Sequence, residues 1–232
     1  MNNLLIILIL GMIILVVSFT FQIIKVWNEK HSHGLSLTSW TINMLGRVIW
    51  VIYGMLLSTG GGIVLTIGQG LCAMMSIPVI YYILRNRKNE GRYKKEDFNK
   101  YLFAWRVLML VVLLTLIIIC VVFSIMSINQ NSKISEEKTI FTISLIGSSF
   151  TGFAFLPQTI KTLKTQNTKS TSLNLCLAFI VGNILMISYL SIQAFNVSPM
   201  KYIPAISFTS FSVLLIIVIV IIKIKNIIKN KD

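Results

Sequence analysis

Negative charge is scarce in this sequence: seven Asp and Glu stand among 232 residues, against 21 Lys and Arg. Charged residues of both signs make up 12%, where a soluble domain carries ~25%. A soluble fold of this length would have no charged skin to show to water. Cysteine is sparse as well. Cys72, Cys120 and Cys176 each lie inside an apolar run, in odd number and without paired spacing, which predicts no disulfide framework and no cysteine metal site. The two histidines, His31 and His33, sit together in a polar stretch. They are too few for a metal centre, so neither a metal nor a cofactor is expected. The chain also lacks HExxH, GxSxG and any pair of carboxylates in an apolar segment, which argues against an enzyme.

Long apolar runs are what the sequence does have. Hydrophobic residues make up 55%, and a bilayer core of ~30 Å needs about 20 of them per helix. Seven stretches qualify: roughly 4–24, 37–58, 62–84, 103–128, 139–160, 173–195 and 202–222. No succession of short alternating segments suggests a β-barrel. The expected fold is an all-α membrane protein with seven transmembrane helices. The first run has no basic residue before Lys25 and is too long for a cleaved leader, so it reads as a retained span.

The cations sort by side. Seven crossings put Lys133, Lys138 and Lys201 with the N-terminus. They put Lys25, Lys30, Arg85, Arg87, Lys88, Arg92, Lys94, Lys95, Lys100, Arg106, Lys161, Lys164, Lys169, Lys223, Lys225, Lys229 and Lys231 on the other face. The positive-inside bias then predicts an outside N-terminus and a cytoplasmic C-terminus. It also accounts for the net charge of +14 without nucleic acid as a partner. The basic face is expected to be solvated and to meet anionic membrane lipid. The Ile-, Lys- and Asn-rich composition suggests an AT-rich bacterial genome and hence the plasma membrane. A homo-oligomer is left open.

A shift of 136 positions lays the first three runs on the last three without a gap. Gly11 meets Gly147, Phe19 meets Phe155, Gln22 meets Gln158 and Lys25 meets Lys161. Ser36-Leu37 meets Ser172-Leu173, Gly46 meets Gly182, and Tyr53 meets Tyr189. Apolar pairs match by chance, whereas polar and glycine pairs at one constant shift indicate a duplication. The predicted layout is 1–85 as a first three-helix repeat, 86–130 as a basic loop with an inverting linker helix, 136–225 as a second repeat, and 226–232 as a basic tail. Two parallel three-helix bundles joined by one helix (3+1+3) make a transporter plan.

The stretch Phe155-Leu156-Pro157-Gln158, the basic turn behind it, and Ser170-Thr171-Ser172-Leu173 resemble a PQ-loop motif. Phe21-Gln22, Lys25, Gly34-Leu35-Ser36-Leu37 and Trp50 followed by Tyr53-Gly54 are a degenerate first copy. The chain thus resembles the PQ-loop and SWEET-like membrane transporters over both repeats. The resemblance implies facilitated, alternating-access transport of a small polar solute, most readily a sugar. Amino-acid or organic-anion transport of the PQ-loop type is the alternative, and a non-transporting receptor or assembly factor is a further one.

The resemblance places Trp50 and Met186, three residues before each Tyr, at the substrate site, and Gln69 matches a third-helix amide by spacing. Asn183 lies one turn before Met186, as Arg47 lies before Trp50, so each pair shares a helix face. Aromatic and amide groups suit a sugar, but helix packing explains them equally. Arg47 at mid-span is costly and has no acidic residue in any span to pair with. Its planar fork suits a carboxylate or phosphate, and carbonyls near a kink would satisfy it too. Pro157 removes one helical hydrogen bond and is the expected hinge, or a static kink. Gln158 and Gln22 are expected near the cytoplasmic gate, or as helix–helix contacts. Phe21 stands where the second copy has Pro157, so motion is expected to concentrate in the second bundle.

Overall fold

The computed structural model describes residues 2–32, 34–57, 59–91, 99, 100, 102, 103, 105, 107 and 136–229. The helices bounded among the described residues are α1 (Asn2–Glu29), α2 (Leu37–Leu56), α3 (Gly60–Asn89), α4 (Glu136–Ala154), α5 (Leu156–Thr165), α6 (Leu173–Asn196) and α7 (Pro199–Lys229). No strand occurs among the described residues.

Local chemistry sets these boundaries. Ser36 and Ser172, equivalent under the 136-residue shift, cap α2 and α6 by accepting from the Ser39 and Leu175 N–H groups. Thr59 caps α3 in the same way through Gly62 N–H. Each cap satisfies a donor that the helix cannot pair internally. The span from Glu137 to Thr165 is continuous in direction but is broken into α4 and α5 at Phe155, two residues before Pro157. Proline has no N–H to give and crowds the preceding turn. Phe21 holds that place in α1, which runs unbroken.

Among the described residues, five spans are long and apolar enough to cross a membrane: Asn3–Glu29, Gly60–Asn89, Glu137–Thr165, Leu173–Asn196 and Pro199–Lys229. Their outward side chains are apolar, among them Ile6 and Ile13 on α1, Met74 on α3, Val181 on α6 and Leu214 on α7. Such a surface is matched to lipid, and the chain is a multi-pass membrane protein. A span at 37–58 is also expected from the sequence. The α2 helix there has a similar length but is not among the five, because Asn43 and Arg47 make it more polar. Eleven of its 20 residues are buried against other helices, so it is shielded by protein where the others face lipid. The expected linker span, 103–128, lies outside the described residues except Phe103, Trp105 and Val107.

The helices close into a ring. In contact order it runs α1, α3, α2, α4, α7, α6 and back to α1. In each repeat the third helix lies between the first two. The repeats meet through α1 against α6 and α2 against α4, two contacts that exchange under the repeat operation.

Glycine permits both crossings. A Cβ on Gly11 would come within 3.1 Å of the Gly182 carbonyl oxygen, and one on Gly46 within 2.9 Å of the Thr151 backbone nitrogen. Small residues of this kind let membrane helices approach closely.

Candidate functional site

The basic ends of the helices meet the two turns that precede α2 and α6. There the side chains of one repeat hold the backbone of the other. Gln22 donates to the Ser170 carbonyl at 2.8 Å and accepts from Ser172 N–H at 2.9 Å. Gln158 donates to the Gly34 carbonyl and accepts from Ser36 N–H, the latter at 2.6 Å. Shifting Gln22, Ser170 and Ser172 by 136 positions gives the same pattern with the roles exchanged. Each glutamine thus satisfies a donor and an acceptor at a buried turn. Lys161 adds one more bond across the repeats, to the Leu35 carbonyl at 2.7 Å.

Within each repeat, a cation from the third helix braces the same turns. Arg87 donates to the Leu35 carbonyl at 3.2 Å, and its counterpart Lys223 to the Thr168 carbonyl at 2.8 Å. Trp27 stacks on Tyr82 at this end, with centroids 6.2 Å apart, in the manner of an interfacial aromatic belt.

The opposite end is closed by tyrosines. The Tyr53 hydroxyl donates to the Lys201 carbonyl at the start of α7. Tyr189, its counterpart, packs its hydroxyl against Gly61 at the start of α3.

Between these ends lies a chain of buried polar groups. Arg47 is ten residues into α2, about 15 Å from the helix start, and is 2% exposed. Its Nε donates to Asn43 Oδ1 at 3.2 Å and its Nη1 to Gln69 Oε1 at 2.6 Å. The amide of Gln69 continues to the Met186 sulfur at 3.6 Å. The guanidinium carbon lies 5.3 Å from the Phe19 ring centroid and 5.6 Å from that of Phe179, both within cation–π range. Two neutral amides and two aromatic faces therefore surround a permanent charge.

Of the five expected substrate residues, the structure joins Arg47, Gln69 and Met186. Trp50 instead donates to the Thr151 hydroxyl on α4 at 3.1 Å. Asn183 turns back on its own helix and donates to the Phe179 carbonyl. All five are buried. A small cavity among the described residues lies beside Gln158, with Phe179 on its wall. It measures about 20 Å³ and is lined by Trp40, Phe155, Cys176 and Phe179 among others, room for about one water.

Asn43 and Phe179 were not singled out from the sequence, and Phe19 stood there only as the repeat partner of Phe155. Asn43 lies four residues before Arg47 and so shares its face, a signal that was readable. The two phenylalanines come from other elements, and only packing brings them to the guanidinium. His31 is exposed and His33 lies outside the described residues. Among the described residues no group of three or more His, Cys, Asp or Glu is placed to hold a metal.

The chain resembles known proteins over the elements that build this arrangement. Residues 4–62 and 139–198 match the PQ loop repeat family, and the two windows lie 136 positions apart at their ends. Sugar transporter SemiSWEET of Escherichia coli (strain UMEA 3162-1) is 43% identical over 51 residues. That alignment takes in 22% of this chain and 57% of the relative, so the relative is matched over little more than half its length. The two family matches together span more than half of the 232 residues, and the chain belongs to the PQ loop repeat family.

Proposed function

We propose that the chain is a carrier for facilitated, alternating-access movement of a small polar solute, with a sugar as the leading class. The reciprocal glutamine latch is the observation that carries this reading. It joins two like bodies through polar contacts that can part without dismantling either body, as a rocking gate requires. The likeness to a sugar transporter supports the solute class.

The layout of the carrier follows from the same reading. Residues 1–85 and 136–225 act as the two bodies, 86–130 as the connector with a seventh, inverting span, and 226–232 as a tail. The latched end carries most of the cations and faces the cytoplasm of the plasma membrane, with the N-terminus outside. The solute sits at mid-membrane near Arg47, Gln69 and Met186. Trp50 and Asn183 swing toward it when the bodies rock, with Pro157 as the hinge. The described conformation, held at both ends, is the occluded one.

Uptake into proteoliposomes tests this, with labelled neutral sugars, sugar acids and amino acids compared with empty vesicles. Uptake of any solute class well above that background supports a carrier. Background rates throughout would favour a receptor or assembly role.

A further inference from the structure

We infer that Arg47 and Asn43 form a mid-membrane receptor for one carboxylate, so that the carried solute is a polyhydroxy acid rather than a neutral sugar. The inference rests on the carrier reading and narrows it.

Among the described residues the charge at Arg47 meets no carboxylate. No Asp or Glu occurs between His31 and Asn89 or between Thr139 and Lys231, the stretches that hold α2, α3, α6 and α7 whole and α4 beyond its first three residues. The oxygens that meet the guanidinium, Asn43 Oδ1 and Gln69 Oε1, belong to neutral amides. Arginine keeps its proton under essentially all conditions, so the centre of the molecule holds one positive charge in a dry setting. A solute that brings one negative charge would remove that penalty, whereas a neutral solute would leave it in place.

The neighbouring groups suit a carboxylate. Asn43 is 1% exposed, and its Nδ2 finds no hydrogen-bond partner among the described residues. Its Oδ1 is already spent on Arg47, so the free donor belongs to the same amide, beside the guanidinium. A buried donor without a partner is costly. A carboxylate has two oxygens, one for the guanidinium fork and one for such a donor. Gln69 Oε1, 2.6 Å from Nη1, holds the place that a carboxylate oxygen would take.

The asymmetry of the repeats points to a single charge. The counterpart of Arg47 is Asn183, which bonds its own helix. One cation for two repeats matches a monoanion. The aromatic faces of Phe19 and Phe179 then suit the C–H surface of the solute.

Two matched pairs of probes isolate the charge: glucose with glucuronate, and glycerol with glycerate. In each pair a CH2OH group is exchanged for a carboxylate. The full-length protein is assayed for thermal stabilisation in detergent and for uptake in proteoliposomes. The carboxylate member of at least one pair should be preferred by about tenfold or more, as a charge-assisted pair in a dry site implies. Arg47→Gln should erase the preference, and Arg47→Lys should weaken it. Asn43→Asp supplies a tethered carboxylate. It should abolish stabilisation by the probe while the Tm of the unliganded variant holds or rises, which separates occupancy of the site from misfolding.

A neutral probe that stabilises and enters as well as its acid overturns the inference and leaves the carrier reading intact. Stabilisation by the acids without flux keeps the carboxylate receptor but removes the carrier reading, and with it the claim that the acid is carried. No response to either member of either pair overturns the inference.

Discussion

Gln22 and Gln158 each make two bonds to a turn of the other repeat. Alanine at Gln22 would leave the Ser170 carbonyl and the Ser172 N–H unpaired at a buried turn, a cost of about 1–3 kcal/mol. That cost falls on the latched conformation, because the bonds run between repeats rather than within one. Gln22→Ala and Gln158→Ala should therefore favour the state open at the basic end. A cysteine placed at Ser36 or Ser172, in a background with Cys72, Cys120 and Cys176 replaced, should react faster with a water-soluble thiol reagent in either variant. Unchanged labelling would make the glutamines ordinary packing contacts.

At the same scale, the sequence made Gln22 and Gln158 legible as a pair, because glutamines recurring at one shift are rare by chance. It did not show what they hold, since their partners are backbone groups with no signature of their own. Arg47 was legible as an anomaly. Its aromatic neighbours were not, because they arrive from α1 and α6 through tertiary packing. Trp50 was placed at the solute by resemblance, and in this conformation it bonds Thr151 instead.

Two helix pairs, α1 with α6 and α2 with α4, carry most of the contact between repeats, and their spacing depends on single residues. At Gly46 an added Cβ would fall 2.7 Å from Thr151 Cγ2 and 2.9 Å from its backbone nitrogen. A backbone atom cannot step aside, so Gly46→Ala should force α2 from α4 and cost about 1–3 kcal/mol. Gly70 offers the contrast, since a Cβ there would meet only Val51 Cγ2 at 3.8 Å. The Tm in detergent should fall for Gly46→Ala and hold for Gly70→Ala. Equal behaviour would deny that the crossing is set by glycine.

The break at Phe155 is the other element-scale feature. Pro157→Ala restores an N–H and lets α4 run into α5 as α1 runs past Phe21. Expression and Tm should hold or rise, while initial uptake of a carried solute falls several-fold if the break is the hinge. Undiminished uptake would make it a static kink. Pro157 announced this break in the sequence. Pro78 and Pro204 do not break their helices, and α3 and α7 remain continuous through them. In a packed membrane bundle, neighbouring helices can keep a proline-bearing helix intact.

For the whole molecule, the duplication was the strongest thing the sequence offered. It was readable because polar pairs stayed in register across 136 positions, and the ring of helices repeats the same symmetry in its contacts. The order within the ring was not readable. Sequence neighbours α1 and α2 are not adjacent in the ring, since α3 lies between them, although Phe19 reaches across to Trp40 and Arg47, and nothing in an apolar run says which helix it will lie beside. The burial of α2 was not readable for a related reason. A hydropathy pattern measures fitness for lipid, and this helix is covered largely by its neighbours.

The central claim is that two repeats rock about a shared mid-membrane site. Counterflow in proteoliposomes tests it most directly, because a carrier with one alternating site returns faster loaded than empty. Vesicles preloaded with unlabelled solute should take up the same labelled solute faster than vesicles without it, with a transient overshoot. An entry rate indifferent to internal solute, or equal to that of empty vesicles, would contradict the account.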